Sequence, residues 1–132
     1  MGSYSYGDGQ AVEDGVLARI TPTHRATSAV WHSVQRSLEE HTTVDASAII
    51  QSWIIEHHER ATSVWKDNIG GGVLKLRRVP RTPEVEQIEM QLGYIEKDFR
   101  VIPVPVGEAR KDDMWLIPNE LGGVTLMFPS DY

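Results

Sequence analysis

The side chains best suited by type to chemistry are the histidines. Two of them, His57 and His58, stand side by side in VDASAIIQSWIIEHHERATSVW, residues 44–65. An imidazole exchanges a proton near neutral pH, so it can serve as general acid or base, pH sensor or metal ligand. At about 100° per residue on a helix, His57 falls between Ile50, Trp53 and Ala61, inside the apolar arc. The first reading is a buried neutral imidazole satisfied by one donor and one acceptor. The second is a catalytic or pH-sensing group. His58 turns toward the polar boundary, so the pair cannot chelate one ion from a single helix.

Other chemistries are tested by spacing. H-E-x-x-H is absent, and no glutamate lies three residues before any histidine, which removes the helical di-iron pattern. A site assembled across helices from His24, His32 or His41 stays geometrically open. Asp112 and Asp113 are adjacent, and neighbours on a strand point to opposite faces, so a solvated loop is the simpler account. Gly70-Gly71-Gly72 follows a helix and precedes a strand, the reverse of the order in which a phosphate loop feeds a helix N-terminus. No G-x-S-x-G elbow occurs, and without cysteine there is no thiolate nucleophile or thiolate zinc site. No catalytic residue, metal ligand or cofactor is therefore assigned, and a non-enzymatic role is favoured.

One basic segment stands out against a net charge of −6, which comes from 13 basic and 19 acidic side chains. Lys75, Arg77, Arg78 and Arg81 cluster with no acid between Asp67 and Glu84. On a strand, Lys75 and Arg77 share a face and would form a small positive stripe. It could meet nucleic acid or an acidic partner, or pair internally with Glu84, Glu86 and Glu89.

The elements that would position these groups come from periodicity. Residues 1–10 (MGSYSYGDGQ) have no period and are expected to be a flexible arm, with 11–132 as one domain. Val16–Thr21 suits a strand. Thr21-Pro22 resembles a helix start, with Ala26, Val30, Trp31, Val34 and Leu38 on one face and an end near His41. Asp45 or Thr43 can cap the long helix, Glu56 and Arg60 are spaced to pair on its edge, and Asn68 with the three glycines ends it. Residues 73–79 read as a strand. For 83–95 the Thr82-Pro83-Glu84 start favours a helix, while Ile88, Met90, Leu92 and Tyr94 also alternate as in a strand. Phe99–Val106 is extended, and Pro103 and Pro105 bar it from a central sheet position. Met114–Ile117 and Val124–Phe128 form a hairpin across 118–123. The expected fold is α+β, with an N-terminal antiparallel helical hairpin packed on a small, mostly antiparallel C-terminal sheet.

The strand at 16–21, the following helix, and ASAIIQSWIIEHHER at 46–60 together resemble a ribbon-helix-helix DNA-binding unit over less than half the chain. That resemblance implies a dimer whose two-stranded ribbon enters the major groove and presents Leu17, Arg19 and Thr21 or their neighbours. The chain departs from it in a first helix about one turn longer and a single basic residue in the strand. No site residue is carried over.

No apolar run reaches the roughly 18 residues of a membrane span, and the start of the chain lacks a basic and hydrophobic leader. A soluble cytoplasmic protein is expected. Four tryptophans exceed what the predicted core absorbs. Trp65 and Trp115, with Lys75, Arg77, Arg78 and Arg81, are the candidate interaction surface. The favoured function is a small interaction or assembly protein working through protein–protein contacts, self-association included. DNA or RNA binding, and an enzyme with a histidine-containing site, are the alternatives.

Overall fold

A computed structural model describes residues 7–38, 45–80, 99–105 and 107–132. They form three helices and one six-stranded, mostly antiparallel sheet. In chain order these are α1 (Asp8–Glu13), β1 (Leu17–Arg19), β2 (Arg25–Thr27), α2 (Ser28–Ser37), α3 (Ala46–Lys66), β3 (Leu74–Pro80), β4 (Phe99–Pro103), β5 (Met114–Pro118) and β6 (Val124–Met127). Across the sheet the order is β1-β2-β6-β5-β3-β4, with β2 and β6 parallel and every other pair antiparallel.

The long helix follows from its residues. Asp45 accepts the Ala48 amide as N-cap (3.1 Å). Ala46, Ile49, Ile50, Trp53, Ile54, His57 and Ala61 form the buried face. Asn68 in the left-handed region (φ 53°) and a short 3-10 turn over Ile69–Gly72 end it; Gly71 (φ +83°) and Gly72 (φ +78°) hold angles that a β-carbon would strain. Alternation along the strands sends Leu74, Leu76, Met114, Leu116, Val124, Leu126, Ala26 and Val101 to the side where α2 and α3 lie, and these residues form one core cluster with both helices. The helices meet through Trp31 Nε1, which donates to Ser47 Oγ (2.9 Å), and the Ala46 amide, which donates to Gln35 Oε1 (3.0 Å).

The first helix begins later than Thr21-Pro22 suggests. Thr21 Oγ1 does cap amides, but those of Thr23 and His24 in a turn (3.3 and 3.0 Å). The cap of α2 is Thr27, which accepts from Val30 N. Residues 25–27 are instead drawn into the sheet between β1 and β6, so β1 and β2 make the sheet more than a C-terminal element. Pairing on both sides outweighs a local helix start. Residues 8–10, the end of the expected arm, are the first turn of α1. Pro103 ends the edge strand β4, where its missing N–H costs no ladder bond. Residues 1–6, the segment 83–95 and Arg81 lie outside the described residues. Among the described residues, no helix is long and apolar enough to cross a membrane.

Candidate functional site

The second face of the sheet carries what the core does not use. Opposite the helices, register aligns Leu17, Thr27, Met127, Trp115 and Lys75 in one row and Arg25, Thr125 and Ile117 in the next. Over the β1-β2-β6-β5 part lies a cleft of about 450 Å³, lined by Val16, Leu17, Ile117, Met127 and Tyr132 among others. Asp131 is the one charged residue in its lining. Its Oδ2 accepts from Thr27 Oγ1 (2.7 Å) and from the Phe128 amide (3.0 Å). Val16 and Tyr132 stand on the rim, 43% and 56% exposed, where an ordinary core residue would be covered. Tyr132 packs edge-on against Trp115, with ring centroids 5.7 Å apart.

Two buried guanidinium groups flank this face. Arg25 on β2 is gripped by both oxygens of Asp8 from α1 (2.8 and 3.0 Å) and donates to the carbonyls of Thr21 and His24. Arg77 on β3 makes the equivalent fork to Asp113 (2.8 and 3.0 Å) and a further bond to Glu108 (2.5 Å). Asp113 also accepts the Arg110 amide (2.8 Å). The Arg77 hydrogen bond holds the Asp113 carboxyl below its ordinary range, and the two carboxylates raise Arg77. Asp113, expected in a solvated loop, is 3% exposed because Arg77 offers it a fork in the interior.

The basic cluster therefore does not present one charged face. Lys75 and Arg77 share a side as expected, but Arg77 is neutralised by Asp113 and Glu108; Glu84, Glu86 and Glu89, the partners expected from the sequence, lie outside the described residues. Arg78 points to the helical side and donates to Ser33 Oγ (2.6 Å). Trp115 lies beside Lys75 across the β3–β5 pair. Trp65 is half exposed on α3, on the other side of the sheet, so the five described candidate residues are not one surface.

His57 is 2% exposed and fully bonded. Arg60 donates to Nδ1 (2.8 Å), which leaves Nε2–H to donate to the carbonyl of Val101 on β4 (3.2 Å). Arg60 thus serves the imidazole and does not pair with Glu56; a buried acceptor gains more from a donor than a solvated ion pair does. His24 accepts the Val124 amide at Nδ1 (3.1 Å), so its proton sits on Nε2 and neither nitrogen keeps a lone pair for a metal. No group of three His, Asp or Glu side chains among the described residues could hold an ion.

The ribbon expected between two copies is made within the chain, β1 on β2, and β2 continues into β6. Sequence reasoning passed over Asp8 and Arg25; it weighed His24 only as a metal ligand and placed Asp113 in a solvated loop, so the role of neither was found. Comparison of the chain with known protein families, curated proteins and solved structures finds no match.

Proposed function

We propose that this protein is a non-enzymatic interaction or assembly subunit that works through protein–protein contacts, self-associating through the cleft on the second face of the sheet. The observation that carries the reading is the cleft with its two exposed apolar rim residues, Val16 and Tyr132. A symmetric dimer interface needs knobs and a hole within one patch, and this patch holds both. Asp131 as its sole charged lining residue keeps repulsion low when two acidic copies meet. In this reading α2 and α3, as an antiparallel hairpin, back the sheet, and residues 11–132 act as one soluble unit in the cytoplasm. His57 is a structural residue and no cofactor takes part.

The experiment is sedimentation equilibrium of the full chain beside Val16→Glu and Tyr132→Ala. Both positions are exposed, so circular dichroism should stay unchanged while the dimer of the parent chain dissociates. A parent chain that is monomeric at every concentration, with a cleft that takes a small apolar molecule instead, overturns the proposal; about 450 Å³ is a volume such a ligand would fill.

A further inference from the structure

Where the β5–β6 loop meets the N-terminal strands, the contacts are unusually close and one of them is made by an imidazole. The Val124 amide donates to His24 Nδ1 (3.1 Å), and Asn119 Nδ2 donates to the Thr23 carbonyl (2.9 Å). Gly123 is packed so tightly that a β-carbon there would collide with the Thr23 carbonyl and come within 2.7 Å of His24 Nδ1. The His24 ring also lies 5.9 Å, centroid to centroid, from that of His58 on α3.

We propose that His24 and His58 form an acid-sensitive latch joining the N-terminal strands to the β5–β6 loop, in which protonation of His24 at Nδ1 withdraws the acceptor of the Val124 amide. The proton taken up occupies the lone pair that held that amide, so two N–H donors then face each other. Among the described residues the new cation meets no compensating acid. From α3 it faces His58, whose Nδ1 donates to the Ile55 carbonyl and whose neighbour Glu59 is exposed. From β2 it faces Arg25, whose charge is already matched by Asp8 of α1. The β5–β6 loop brings Glu120, which is exposed.

Burial, then His58 and Arg25, hold the His24 imidazole below its ordinary value of 6.5. An unfolded chain therefore takes up this proton first, and the latch loses strength as pH falls from 6.5 through the lowered value. β2 joins the rest of the sheet through the short parallel pair with β6, at whose end the latch sits. Leu17 and Thr27 of the same two strands line the cleft. The latch thus couples acidity to the surface on which the proposed self-association rests.

The test is NMR of the full chain from about pH 7.5 to about pH 5, across the ordinary histidine range. The imidazole titration of His24 is followed together with hydrogen exchange of the Val124 amide, corrected for the intrinsic pH dependence. Val124 should lose its protection with the midpoint of His24. In His24→Asn, Oδ1 stands where Nδ1 stood and keeps an acceptor that does not titrate, so protection should persist. In His58→Gln the His24 midpoint should move up toward 6.5, a readout that serves even where the first variant fails to fold. A Val124 amide indifferent to the titration of His24, or one that loses protection equally in His24→Asn, overturns the latch. Neither readout depends on whether the chain self-associates.

Discussion

The imidazole of His57 donates from Nε2 to the main-chain carbonyl of Val101, 3.2 Å away, and ties the middle of α3 to the edge strand β4. An edge strand has one side of its ladder unpaired, and a buried carbonyl without a donor is costly. His57 supplies that donor from inside the apolar face of the helix, and Arg60 satisfies its other nitrogen. The His57→Ala variant should therefore lose about 1–3 kcal/mol in urea unfolding, the cost of stranding a buried polar group. His57→Gln, whose amide can donate in place of Nε2–H, should recover part of it. A full-stability alanine variant would return His57 to the functional candidates.

Two tryptophans should respond differently to loss of the indole N–H. Among the described residues Trp53 Nε1 is buried without a hydrogen-bond partner, whereas Trp31 Nε1 donates to Ser47. In Trp53→Phe, removal of an unpaired donor offsets much of the lost packing, so stability should stay within about 1 kcal/mol of the parent. Trp31→Phe should cost about 0.5–1.5 kcal/mol through its hydrogen bond. Urea midpoints of both variants decide it, and the reverse ranking refutes the account.

Acid should weaken the Arg77–Asp113 fork. Hydrogen bonding to Arg77 lowers the Asp113 pKa in the folded chain relative to its ordinary 3.8. The stabilisation is thus complete above 3.8 and is lost as pH falls through the lowered folded value. Asp113→Asn should be less stable than the parent at neutral pH and should show a shallower decline in acid. Thermal melts at stepped pH check this; parallel pH profiles for the two proteins would contradict it.

Gly123→Ala should be among the more damaging small substitutions. Its β-carbon would strike the Thr23 carbonyl, which is backbone and cannot swing aside. Overpacking of this kind costs about 1–3 kcal/mol. The Val124 amide should lose protection in the same variant, since the loop must move away from His24. An alanine variant with parental stability and exchange would show that the approach is looser.

Nucleic acid should bind weakly or not at all. Arg77 is matched by two carboxylates, and Arg78 lies on the opposite side of the sheet from Lys75. Titration of duplex and single-stranded oligonucleotides at two salt concentrations should reveal no salt-sensitive affinity. A steep salt dependence would restore the DNA- or RNA-binding alternative.

Much of this fold was legible in the sequence wherever one helix or hairpin suffices to define it. The 3.6-residue period and the Asp45 cap announce α3, the alternation in 73–79 announces β3, and Pro118–Gly123 between two apolar runs announces the β5–β6 hairpin. The prolines of 99–106 place β4 at an edge. These are local signals, carried by residues a few positions apart.

What only the tertiary structure decided is long-range pairing. Three-residue β2 shows no period of its own, and it is a strand because β1 and β6 supply partners on both sides, the latter a hundred residues away in the Arg25–Thr125 pair. Sequence alone leaves every nearby acid open to Arg77; it meets Asp113 because β5 runs beside β3. His57 is the middle case. Its burial was legible from its place on the apolar arc. The Val101 carbonyl that makes the burial affordable could be known only once β4 was set beside the helix. A side chain's periodicity tells which way it points, but its partner is chosen by whatever part of the chain the sheet brings there.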